Sequence, residues 1–193
     1  MTHVMVDLET WGITPGSDLR SIGACVFDPE TGHVAERNSV GTFYQAVDNS
    51  EMDFWNRRKY PLRRDPKTVQ WWNDQSAEAQ AAFASPVDLL DGLRLFSEWF
   101  ATVRGTHIWA HGSHFDVPIL EAAYGAVYLS APWHYRAPRD TRTCFDLAGI
   151  KDHSAHLAAH NTGTCHHALD DALCQAKAVC AAYSIIRNWD DGK

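Results

Sequence analysis

The stretch His3-Val4-Met5-Val6-Asp7-Leu8-Glu9-Thr10 alternates along its length. Val4, Val6 and Leu8 point one way, and Met5, Asp7 and Glu9 the other, which is the period of a β-strand. Gly12 and Pro15 end it. Asp7 and Glu9 share a face, their side chains rooted about 7 Å apart. Two acids at the carboxyl end of a strand repel unless a cation sits between them. Taken alone, the pair reads as a solvated strand end, because short acidic pairs are common.

Outward from this strand, Ser21–Phe27 reads as a second strand, Asp28–Gly32 as a turn and Ser39–Val47 as a third strand, an antiparallel meander. Asp65-Pro66 opens a helical stretch to Ser85, with Val69, Trp72, Ala79 and Phe83 at helical spacing. Leu89, Leu90, Leu93, Phe96, Trp99 and Phe100 form the apolar face of a helix over Pro86–Val103. His107–His111 reads as a buried strand. Ser113 is the expected cap of a helix with Phe115, Ile119, Leu120, Ala123 and Tyr124 inward. Asp140–Leu147 leads into another helix, and Ala168–Ile186 is the last. This order predicts one α/β domain over residues 1–193, a mixed sheet flanked by helices.

The composition narrows the function. The 193 residues are 45% hydrophobic and 21% charged, enough to bury a core and too apolar for a disordered chain. No apolar run approaches the roughly 20 residues of a membrane helix, and no signal peptide opens the sequence. Acids exceed Lys and Arg by 24 to 17, a net charge of −7, which argues against coating nucleic acid through a broad basic surface. A grip on a few nucleotides through metal ions is compatible with it. Five cysteines, an odd number with no CxxC pair, point away from zinc or a disulfide framework and toward a reducing, cytoplasmic setting. Cys174 and Cys180, in an Ala-rich helix, read as small core residues.

Two more carboxylates carry chemistry. Asp116 follows the buried strand at a helix start, where the positive helix end favours an acid. Asp171 stands off the apolar stripe of the last helix, and by itself it and Asp170 read as a solvated face. Together with Asp7 and Glu9 they make a set of four hard oxygen ligands suited to Mg²⁺ or Mn²⁺. Two such ions about 3.5–4 Å apart cleave phosphodiesters by activating water and stabilising the leaving oxygen.

Asp7-x-Glu9, Asp116 and His166-x4-Asp171 resemble the three motifs of the DEDDh (DnaQ-like) 3′→5′ exonucleases. The stretches MVDLETWGITP, SIGACVFDPETG, TVQWWNDQS, WAHGSHFDVPIL, RDTRTCFDLAG and HHALDDALCQA are most similar to the Rv2179c-like or DexA-like exonuclease domain of phages and bacteria. The resemblance runs from residue 4 to about 180. It implies an RNase H-like fold with a mixed five-stranded sheet. It also implies a metal-dependent 3′→5′ exonuclease acting on single-stranded RNA or DNA 3′ ends. Two ions, Mg²⁺ or Mn²⁺, would be held by Asp7, Glu9, Asp116 and Asp171, and His166 would take the proton from the attacking water. A homodimer is implied as well, for which the eight tryptophans would suit an aromatic interface.

On a continuous helix His167, four residues before Asp171, would share its face, and His166 would not. The family spacing selects His166, which requires the helix to begin after it, and the loop-like Ala158–Cys165 allows that. His167 is then left to a supporting or capping role. Thr10, Gly12, Phe115 and Trp72 are the expected substrate contacts; Gly12 would let the backbone approach the terminal nucleotide. Either Trp71 or Trp72 stacks a base or packs in the core, and both cannot serve one pocket because adjacent helical residues diverge by about 100°. Arg57-Arg58-Lys59 with Arg63-Arg64 is the most basic stretch, a guide for a strand or a solvated loop. Asp140 and Arg142 are expected in a structural or substrate-edge role. Two other functions compete: a non-catalytic nucleic-acid-binding module on the same fold, and a nuclease specific for very short oligonucleotides.

Overall fold

The computed structural model describes residues 1–48, 61–112 and 114–190. Arg57, Arg58, Lys59 and Ser113 lie outside the described residues. The chain runs β1 (His3–Thr10), β2 (Leu19–Asp28), β3 (His33–Val34), β4 (Thr42–Ala46), α1 (Pro66–Asn73), α2 (Ala77–Ala81), α3 (Leu89–Thr102), β5 (His107–Ala110), α4 (Asp116–Ala126), β6 (Pro138–Asp140), α5 (Thr141–Leu147), α6 (His153–Ala158) and α7 (Ala168–Asp190).

β1 is central. It pairs antiparallel with β2 and parallel with β5, which pairs parallel with β6. Among the described residues the sheet has six strands rather than the expected five. The expected third strand, Ser39–Val47, is β4, which pairs with Ser21–Cys25; the two-residue β3, outside the expected ranges, pairs with Phe27–Asp28 on the same edge of β2. β6 adds a three-residue parallel strand, too short to show a period in sequence.

The alternation of β1 sorts two cores. Val4, Val6 and Leu8 pack with Leu93 and Phe96 of α3 and Ile119 and Leu120 of α4. Met5, on the other face, packs with Cys25, Trp109, Phe145 of α5 and Ala172, Ala176 and Val179 of α7. Cys174 and Cys180 are buried as expected. Glycine lets α7 lie this close: a Cβ on Gly23 would stand 2.1 Å from the carbonyl carbon of Ala168.

The helical stretch from Asp65 divides in two. Asp65 caps α1 through the N–H groups of Lys67 and Thr68, and Ser76 caps α2 through Ala79. Asp140 caps α5, accepting from Thr143 N at 2.9 Å, so its role is structural. No helix among the described residues is long and apolar enough to cross a membrane.

Candidate active site

β5 ends at Ala110, while its parallel neighbour β1, paired with it over His3–Met5, runs on to Thr10; the crevice outside such strand ends is where α/β sheets hold ligands. Asp7 and Glu9 stand at the end of β1. Asp116, the first residue of α4, is brought beside β1 by the turn after β5, and its Oδ1 accepts the Leu8 N–H at 3.1 Å. It is 2% exposed. α7 lies across this end and supplies Asp171 in its first turn. One ligand atom each from Glu9, His166 and Asp171 lies within 4.8 Å of the others. Asp7 lines the same cleft, and Gln175, one turn beyond Asp171, donates from Nε2 to its Oδ1 at 2.7 Å.

The cleft has a volume of about 520 Å³ and is bounded by Asp7, Glu9, Asp171, Thr10, Ile13, Lys67, Thr68, Trp71, Trp72, Phe115 and His166; Asp116 lies buried on the Leu8 N–H and is not part of its lining. This is the size range of small-ligand sites.

Crowding acids into a half-dry site disfavours their charge. Burial pushes the Glu9 carboxyl up to about 8, with Asp171 and Asp116 adding to it and Arg20 opposing. Asp116 is pushed up to about 7 by burial, against the Leu8 N–H. Asp171 rises to about 6, again through burial, against the His166 N–H. Asp7 is raised by burial first, then by Asp116, Glu9 and Asp171, with the Gln175 hydrogen bond opposing.

α7 begins after His166, as the spacing argument requires. His166 has a positive φ of 61° and stands on the loop just before the helix, in the cleft. His167 turns the other way and stacks on Tyr44 at 4.3 Å between ring centres. Asp170 is not solvated. It is 7% exposed, pairs with Arg37 and accepts the Thr164 N–H at 3.0 Å. These contacts tie the His166 loop to the β3–β4 connection.

The tryptophans divide their tasks. Trp72 is 2% exposed, and its indole N–H is taken by the Thr10 carbonyl at 2.8 Å. Trp71, 43% exposed, presents the open ring and meets the His166 ring edge-on at 4.9 Å. Gly12 does not line the cleft. A Cβ there would strike Ser17 Oγ at 2.6 Å, so the glycine serves the turn itself. Thr10 lines the cleft, with its hydroxyl donated to the Gly12 carbonyl at 2.6 Å. Arg64 is committed to Asp18, at 2.9 Å.

Sequence reasoning missed Gln175, Lys67, Thr68 and Arg20. Gln175 was readable as the residue four after Asp171. Arg20 was not. It is the extra residue of a β-bulge, because Glu9 pairs with Ser21 and Thr10 with Leu19. The bulge aims its guanidinium among Trp11, Trp72 and Phe83, at 4.2, 4.3 and 3.6 Å from the ring centres.

Residues 2–183 match the 3′-5′ exoribonuclease Rv2179c-like domain. The chain belongs to this family. The match takes in every strand and all four acids of this Rv2179c-like domain, and membership places it among the nucleases. Among solved structures it is similar to the cell-death related nuclease CRN-4, with a TM-score of 0.65 and 14% identity over 93% of this chain and 62% of that one. It is also similar to a 3′-exonuclease that recognises the histone mRNA stem-loop at its 3′ end, with a TM-score of 0.57 and 13% identity over 99% and 82% of the two chains. The Rv2179c-like domain thus spans 62% of CRN-4's length. At such identities the likeness is one of fold. No curated protein sequence matches the chain.

Proposed function

We propose that this domain releases nucleoside 5′-monophosphates from the 3′ ends of single-stranded nucleic acid by hydrolysis. Asp7, Glu9, Asp116 and Asp171 would hold two divalent ions, Mg²⁺ or Mn²⁺, and His166 would be the general base. The observation that carries this reading is the meeting of Glu9, Asp171 and His166 within 4.8 Å in a nucleotide-sized cleft, from elements more than 150 residues apart. The family's description as exoribonucleases favours RNA over DNA.

The donor set fits the ions. Four carboxylates are hard oxygen ligands, and the raised carboxyls are short of counter-charge. When bound, the ions supply charge stabilisation at the phosphodiester and lower the pKa of water. The chain's own groups do the rest. Gln175, the Leu8 N–H and the His166 N–H each fix one carboxylate, on Asp7, Asp116 and Asp171. His166 projects into the cleft and takes the proton of the attacking water at its imidazole. Water oxygen bonds to phosphorus, the bond to the 3′ oxygen breaks, and that oxygen leaves with a proton. Trp71 offers a base its open ring, and Phe115 and the Thr10 segment bound the same cleft.

Incubating the protein with 5′-labelled single-stranded RNA and DNA, in Mg²⁺, Mn²⁺ or EDTA, tests the reading. A ladder shortening from the 3′ end, absent in EDTA, supports it. Intact strands from a protein that binds Mn²⁺ would favour the non-catalytic binding module.

A further inference from the structure

The cleft carries a charge asymmetry that the hydrolytic groups leave unused. Its described walls hold the anions Asp7, Glu9 and Asp171, and one fixed cation, Lys67. Lys67 stands in the first turn of α1, four residues before Trp71, so the two side chains share a helix face about 6 Å apart along its axis. Thr68 and Trp71 line the cleft beside it. The carboxylate that caps this helix, Asp65, is occupied by the backbone N–H groups of Lys67 and Thr68, at 2.9 and 3.0 Å. Lys67 is exposed and makes no ion pair with Asp7, Glu9 or Asp171. Its ammonium therefore stands apart from the carboxylate cluster while facing the same space.

From this we infer that Lys67 is a substrate-contact residue, binding a backbone phosphate of the single strand other than the one being cut. The inference rests on the nuclease reading above. The phosphate being cut belongs at the acids. A terminal nucleotide with a free 3′ hydroxyl carries no further phosphate, so the one at Lys67 lies upstream. Trp71 holds the base next to His166, and Lys67 takes the chain on its way in. In an acidic protein this cation gives the strand a polarity: acids at the cut, ammonium at the approach.

The test uses Lys67→Met, Lys67→Arg and, as a charge control, Lys151→Met on an exposed turn far from the cleft in sequence. Steady-state hydrolysis of a single-stranded RNA 12-mer in Mn²⁺ is measured across a salt series. Binding of the same RNA is measured by anisotropy in an Asp171→Asn background. Lys67→Met is expected to raise KM about tenfold, with kcat falling much less, and to reduce the log–log salt slope of binding by about 0.7. Lys67→Arg is expected to restore both. A KM and slope matching those of Lys151→Met would overturn the inference, as would a changed Mn²⁺ affinity, which would place Lys67 with the metals. If the wild type cleaves nothing, the function reading fails, while the binding slope still reports on Lys67.

Discussion

The backbone N–H of His166 donates to Oδ2 of Asp171 at 3.1 Å, across the junction where loop becomes helix α7. One hydrogen bond thus sets a proposed metal ligand and aims a proposed general base from the same turn of chain. The positive φ at His166 makes the geometry specific to this junction, since a helix begun two residues earlier would take His166 into its first turn and carry the imidazole off the cleft.

Replacing His166 with Ala is therefore expected to lower kcat by about 10²- to 10⁴-fold, the usual range for a lost general base. Mn²⁺ binding by calorimetry should change far less. His167→Ala, which removes a ring stacked on Tyr44, should leave most of the rate. Equal losses from the two variants would reassign the base.

The raised carboxyls carry a sign for stability against pH. Their neutral forms are favoured in the fold, so the folded protein holds protons that the unfolded chain releases. Their contribution is complete below about pH 4 and is lost as pH climbs through the folded values of about 6, 7 and 8 for Asp171, Asp116 and Glu9. In EDTA, Tm should fall between about pH 5 and pH 8.5, and saturating Mn²⁺ should reverse the fall, most at the alkaline end. A Tm indifferent to Mn²⁺ at high pH would count against a cation between these acids.

Gly23→Ala tests how the site is assembled. The added Cβ would meet the Ala168 carbonyl carbon and, at 2.2 Å, the Leu169 nitrogen, both backbone atoms that cannot rotate away. The start of α7 must lift from β2, at a cost of about 3 kcal/mol in urea unfolding. Because Asp171 rides on that turn, Mn²⁺ affinity should fall with it.

Trp71→Ala is expected to raise KM by the worth of one base–aromatic stack, about 1–3 kcal/mol, with a smaller change in kcat. Trp72→Phe keeps a ring but removes the indole N–H held by Thr10, so its effect should show first in Tm. Reversal of this pattern would move the stacking platform to Trp72.

Three of the acids are legible because each lies in a local pattern, while Asp171 by itself reads as a solvated face and joins them only as part of the set of four. Strand alternation put Asp7 and Glu9 on one face, and a strand-to-helix step marked Asp116. The family spacing selected His166 over His167, and the positive φ at the head of α7 agrees with it. What escaped depended on partners distant in sequence. Asp170 reads as solvent-facing by helix periodicity, yet its partner Arg37 comes from a connection over 130 residues away. Arg20 sits in a strand with no local sign of the bulge that turns it among three rings. Gly12 matches a backbone-approach position by motif, while the structure uses it to clear Ser17. β3 and β6, of two and three residues, are set by the neighbours they pair with rather than by a period of their own.

The central claim is that water hydrolyses the terminal phosphodiester at the Asp7, Glu9, Asp116, Asp171 and His166 site. Turnover of a single-stranded RNA in ¹⁸O-labelled water with Mn²⁺, read by mass spectrometry beside Asp7→Asn, tests it most directly. The account predicts one heavy oxygen in each released nucleoside 5′-monophosphate, a 3′ hydroxyl on the shortened strand, and no product from the variant or in EDTA. Unlabelled or cyclic phosphate products, or cleavage that persists in Asp7→Asn, would contradict it.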